Sequence, residues 1–126
     1  RKVEELKTVI LFNNGDGSFT EQKLPIDAQY APVKAISIQN VIGDSLPEIL
    51  LFGNSDSEFY SQRSIFANHG CVLHWSESGE YVTLPDNLTG IDVRGVVSSC
   101  VGVTSKKETS IVLGRNNQSA IMLTPR

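Results

Sequence analysis

The chain has few of the groups on which catalysis, metal chemistry and nucleic-acid binding depend. Two histidines, two cysteines, one tryptophan and one methionine occur in 126 residues. A zinc centre takes three or four protein ligands, and His69 and His74 supply two. Cys71 and Cys100 have no metal or redox spacing. Both lie in apolar segments and read as small buried thiols, with a disulfide between them as the alternative. No Gly-x-Ser-x-Gly elbow surrounds Ser98 or Ser99. The acids Asp56, Glu58, Asp86 and Asp92 are scattered through loops, with no pair set up for general acid–base work. No catalytic residue is therefore expected.

Charge and apolar runs exclude further classes. The net charge is −3 and the isoelectric point about 5.3, which leaves no basic footprint for nucleic acid or an anionic membrane. No stretch approaches the roughly 20 apolar residues of a membrane-spanning helix. The opening RKVEELK lacks the apolar core of a secretory leader. Helical spacing is confined to residues 1–7, too few for a stable helix alone, so these read as a linker or short helical turn.

What remains is short strands and turns. Apolar residues make up 40% and charged residues 20%, enough for one domain with a core and against disorder. Residues 8–13 (TVILFN) are β-branched and apolar, and the NGDG of residues 14–17 supplies the positive-φ residues of a tight hairpin. Residues 18–24 return as a strand with Phe19 inward. Residues 33–39 alternate, a polar loop follows, and residues 49–52 (ILLF) form an apolar strand ended by Gly53 and Asn54. Residues 70–76 and 80–84 form another hairpin, with Trp75 and Tyr81 read as packing aromatics. Residues 93–103, 109–113 and 119–123 give three more strands. About nine strands and essentially no helix make the chain all-β.

An internal repeat orders these strands. Residues 9–25 align with residues 71–85, matching Leu11 to Leu73, Gly17 to Gly79 and Phe19 to Tyr81 at an offset of 62. Residues 32–40 align with 92–100 at an offset of 60, matching Val33 to Val93. The phase implies about two four-stranded antiparallel blades of a β-propeller-like repeat over residues 8–126. Residues 33–84 form one complete blade, flanked by partial blades at 8–32 and 93–126. Such repeats need three or more units to bury their faces. The expectation is a fragment of a larger propeller, a homo-oligomer, or a unit whose N-terminal strands close its last sheet. A stand-alone β-sandwich is the alternative fold, distinguished by Greek-key connections.

The stretches NNGDGSFTEQKLP (13–25), YAPV (30–33) and VIGDSLPEILLFGN (41–54) carry a resemblance. They are similar to the FG-GAP / VCBS repeats of β-propellers, and residues 8–122 resemble the C-terminal region of bacterial FG-GAP proteins of the ASPIC/UnbV type. The resemblance implies an extracytoplasmic propeller serving binding, adhesion or assembly, and the expectation is a non-enzymatic segment for protein or glycan interaction, with an accessory domain of a carbohydrate-active or other secreted enzyme as the alternative. It also implies a calcium loop. Calcium wants six to eight hard oxygens, and the corresponding positions here offer Asn40, Asp44 and Glu48, with Ile42 at a ligand position. That is too few for tight binding, so the loop reads as a turn held by Asx-type bonds, with residual calcium binding as the alternative.

The remaining signal is residues 55–68 (SDSEFYSQRSIFAN), longer than the roughly 12 residues usual for a structureless loop. Phe59, Tyr60, Arg63 and Phe66 are its candidate ligand-binding anchors, because interface hot spots favour aromatics and arginine.

Overall fold

The computed structural model describes residues 5–43, 45–56, 64–105 and 108–124. It is all-β, with nine strands in three antiparallel sheets. The first sheet is β1 (Val9–Asn13) with β2 (Phe19–Lys23). The central sheet is β3 (Val33–Gln39), β4 (Glu48–Gly53), β5 (Cys71–Trp75) and β6 (Tyr81–Leu84). The last sheet is β7 (Val97–Ser105), β8 (Glu108–Arg115) and β9 (Ile121–Leu123). In each sheet the strands pair in chain order, so the connections are meanders and not Greek keys. Among the described residues the sheets close into neither a barrel nor a propeller. Among the described residues helix is limited to a 3₁₀ turn at Ile26–Gln29 and one α-turn, α1 (Asp86–Thr89).

The central sheet is apolar on both faces because β4 carries four apolar residues in succession, and alternate residues of a strand point to opposite sides. Leu50 and Phe52, with Val72 of β5, face the last sheet and pack with Ile91, Val93, Val97, Ile111 and Leu113. Leu51, Cys71 and Leu73 face the other way and are covered by Leu24 and Ala28, with Ile10 of β1 beside them. Two cores thus sandwich one sheet. Edge-on rings tie its outer end to the first sheet: Phe12 lies against Trp75 at 5.8 Å between centroids, and Trp75 against Tyr81 at 4.9 Å.

The hairpin repeat survives intact. Asn13 pairs with Phe19 and Trp75 with Tyr81, positions related by the offset of 62. The inner-strand alignment is corrected. Val33 begins β3 and Val97 begins β7, and each strand has a register irregularity within its first three residues, between Val33 and Ala35 and between Val97 and Ser99. The structural offset is therefore 64, and Val93 is not the counterpart of Val33. Residues 93–96 are not strand: Gly95 takes a φ of +94°, and Val93 and Val96 are buried in the turn into β7. Phe19 is also corrected, being exposed. It lies opposite Asn13 and shares the face of Leu11, which points away from the central sheet. Residues 5–7 form no helix; Glu5 Oε1 accepts the Leu6 and Lys7 N–H groups. The N-terminal strands do not pair with β9.

One buried side chain locks the end of β4. Asn54 is 1% exposed and has a φ of 78°, a left-handed conformation that asparagine tolerates better than most residues. Its Nδ2 donates to Asn68 O at 2.6 Å and Gly95 O at 2.8 Å, and its Oδ1 accepts Asn68 N–H at 2.8 Å. Beside it, a Cβ on Gly53 would collide with the Pro32 carbonyl, so this position admits glycine only. Replacing Asn54 with alanine removes three hydrogen bonds of about 1 kcal/mol each and keeps the backbone strain, for an expected loss of about 3 kcal/mol in urea unfolding. Asn54→Asp loses at least as much, because a carboxylate would face two carbonyl oxygens.

Candidate functional site

The polar loop between β3 and β4 is held from below by Glu48, and the register explains how. Ile49 pairs with Leu73, which places Glu48 across from His74 on the face shared with Leu50 and Val72. Glu48 is fully buried. Its Oε2 accepts Val41 N–H at 2.7 Å, and its Oε1 lies 3.1 Å from His74 Nδ1. Asn40 Oδ1 accepts Gly43 N–H at 2.7 Å, an Asx-type turn. Asp44 lies outside the described residues. The donor set thus fits a loop tied down by its own side chains better than one offering oxygens to calcium, since both Glu48 oxygens are engaged and shielded. No cluster of three or more metal-ligating side chains occurs among the described residues.

The long loop is pinched at its neck. Ser55 and Ile65 form an isolated antiparallel bridge, with N–H···O distances of 2.9 and 2.7 Å in the two directions. Ser64 Oγ donates to Asp56 Oδ1 at 2.9 Å. Asn54 and Asn68 close the next step inward. Of the four anchors expected here, Phe66 is half-exposed on the returning arm. Phe59, Tyr60 and Arg63 lie outside the described residues.

Where that arm enters β5, a cleft of about 460 Å³ opens. Asp27 and Tyr30 wall one side, from the connector after β2. Residues 67–71 form a second wall, and residues 83–86, at the end of β6, a third. Burial pushes the Cys71 thiol from 9.0 up to about 11, and the Asp27 and Asp86 carboxylates add to the rise while the Thr83 hydroxyl opposes it. The thiol is therefore no nucleophile near neutral pH. His69, on the same wall, holds Asp92 at 3.2 Å from its Nδ1.

A second groove, of about 470 Å³, lies between the central and last sheets. Val41, Leu88, Ile111 and Leu123 line it with uncharged Gln39, Asn87, Thr109 and Thr124. Neither opening was readable from the sequence, because each is built from three or more separate segments that only the folded sheets and their connectors bring together. The one signal for the first was the pair of connectors bounded by Pro25 and Pro85 at equivalent points of the repeat.

The thiols are free and face different cores, Cys71 among Leu51 and Leu73, Cys100 beside the opposite cluster, so a bridge between them is excluded. The sign of the Cys71 shift gives a test. The native thiol ionises only near pH 11, whereas the unfolded one ionises near 9.0. Stability from this group is therefore full below pH 9 and falls as the pH rises toward 11. The wild type is expected to lose more of its urea midpoint over that range than Cys71→Ala does. Equal slopes would show the thiol to be unshifted. Comparison of the chain with protein-family models, with curated proteins and with solved structures finds no match in any of the three.

Proposed function

We propose that the chain is a repeat segment of the FG-GAP kind with a non-enzymatic role, assembling with further sheets of its own type laid on both ends of the stack. The observation that carries this is a contrast between equivalent positions. Leu11 and Leu73 occupy the same place in the two hairpins; Leu73 is 0% exposed under the first sheet, and Leu11 is 57% exposed. Phe19 and Tyr81 repeat the contrast. At the other end, Val101 pairs with Val112 as Ser37 pairs with Leu50. Ser37 is 8% exposed beside the last sheet, while Val101, on the outer face, is 57% exposed, with exposed Met122 in line. Ile36 and Ile38 of β3 are exposed on the face toward the first sheet. Apolar residues are thus buried where a strand of a neighbouring sheet lies over them and bare where none does, as over β3, which the two-stranded first sheet leaves uncovered. Contiguous exposed apolar surface of this kind marks an interaction site.

Binding fits the chemistry better than catalysis. Cys71 is held protonated, one histidine is tied to a buried glutamate, and the other to a surface aspartate. Extracytoplasmic placement and a glycan or protein partner follow from the resemblance, and the 55–68 loop remains the proposed contact surface.

The expected behaviour is reversible, concentration-dependent head-to-tail self-association of the isolated chain in light scattering. Leu11→Lys with Phe19→Lys, or Val101→Lys with Met122→Lys, is expected to abolish it. The urea midpoint should shift little, since exposed substitutions typically change stability by only about 0.5 kcal/mol. A wild type that stays monomeric at all concentrations, or association untouched by both pairs, refutes the reading.

A further inference from the structure

The cleft at the entry to β5 has properties that the stacking of sheets does not explain. Its lining carries two carboxylates on opposite walls, Asp27 on the 3₁₀ turn and Asp86 at the start of α1. Among the described residues neither has an ion-pair or side-chain hydrogen-bond partner. Both line the cleft that has Cys71 on its floor, and both raise that thiol's pKa by their charge. The one basic group on the walls, His69, is turned to Asp92, which is not part of the lining. Nothing within the cleft balances the two carboxylates.

Two further features are independent of charge. Thr83 Oγ1 is buried on a residue that lines the cleft, and its one polar neighbour is the Cys71 thiol, a weak partner that leaves it short of a full hydrogen bond. Buried hydroxyls in native proteins are satisfied in the large majority, and an exception calls for a missing partner. The Tyr30 ring stands half-exposed at the rim, where an aromatic face attracts a cation. A volume of about 460 Å³ lies within the range of small-molecule sites, roughly 300–1,000 Å³, and far exceeds what one inorganic ion fills. The metal-ligating side chains here do not converge either.

We infer that this cleft binds an organic cation, an alkylammonium or alkylguanidinium group, held between the carboxylates of Asp27 and Asp86 against the Tyr30 ring, with the Thr83 hydroxyl as a further acceptor. A guanidinium suits the arrangement best, since its five donors fan out in a plane and its face stacks on aromatics. The group can arrive on a free amine or on the Arg or Lys side chain of a partner protein. The recognition chemistry is the same for both. The site lies on the central sheet, away from the end faces proposed for assembly, so the two ideas fail separately.

The test is amide chemical-shift mapping at low salt, using the chain with Val101→Lys and Met122→Lys to keep it monomeric. Three probes are compared: agmatine, a capped Gly-Arg-Gly peptide, and the uncharged N-butylurea. Agmatine, the peptide or both are expected to shift the amides of residues 27–30, 68–71 and 83–86 saturably, with N-butylurea inactive. Binding is expected to weaken as salt is raised. Asp27→Asn with Asp86→Asn should weaken it at least tenfold while leaving the rest of the spectrum in place. Tyr30→Ala should weaken it by a smaller factor. Agmatine alone binding assigns the site to free amines, and the peptide alone to a partner's side chain. If neither cation shifts these amides, if N-butylurea shifts them equally, or if the double asparagine variant binds unchanged, the inference is overturned.

Discussion

The structure depends on one constraint: the central sheet has no polar face. Four apolar residues in a row on β4, Ile49 to Phe52, put hydrocarbon on both sides of the sheet at once. Such a strand cannot sit at a protein surface, and antiparallel sheets usually keep one face wet. Each side must be covered by a separate body, and those bodies must lie on opposite sides. Leu24, Ala28 and Ile10 supply one cover, and β7 and β8 the other. The connectors are shaped accordingly. One carries the 3₁₀ turn whose Ala28 seals the first core, and the other leads from α1 through Ile91 and Val93 into the second. At roughly 25 cal/mol per Å² of apolar area removed from water, burial of this kind is the main favourable term in folding.

The hairpins were legible because their signals are local. A turn that needs positive φ names its own residues, so NGDG and the equivalent glycine at 79 predicted the two hairpins, which the structure closes with Asn13 opposite Phe19 and Trp75 opposite Tyr81. The inner strands were displaced by four positions for a physical reason. Val93 and Val96 are apolar like strand residues, but they bury themselves in an irregular turn, and hydrophobicity does not distinguish a buried turn from a buried strand. Phe19 was misjudged because alternation tells which residues share a face, not which face is covered. Cross-strand chemistry was out of reach. Glu48 and His74 meet only because a connection of uneven length returns β5 at one particular register, and a single slip would send His74 to the other core.

Polar groups inside the molecule serve as fasteners. Glu48 ties a loop to a neighbouring strand, and Asn54 ties two chain segments that hydrophobic contact alone would let slide. Both are satisfied at every position the structure describes, which is the condition under which burying a polar group adds specificity and not merely cost. They also sit at opposite ends of β4, so the strand with the least freedom to be exposed is pinned at each end.

The pinched neck at Ser55 and Ile65 has a meaning for how this fold can change. A bridge that closes the base of a loop separates what lies beyond it from the sheet below. Lengthening the chain beyond such a closure adds only about 0.6 kcal/mol of entropy per doubling of the loop. The described arms, Ser55–Asp56 and Ser64–Ile65, are held side by side by the bridge, so chain joined between them starts from ends that are already close. In protein engineering terms the neck is a graft point: a foreign recognition segment, or a reporter domain with closely spaced termini, matches the short span that the bridge already sets between the two arms.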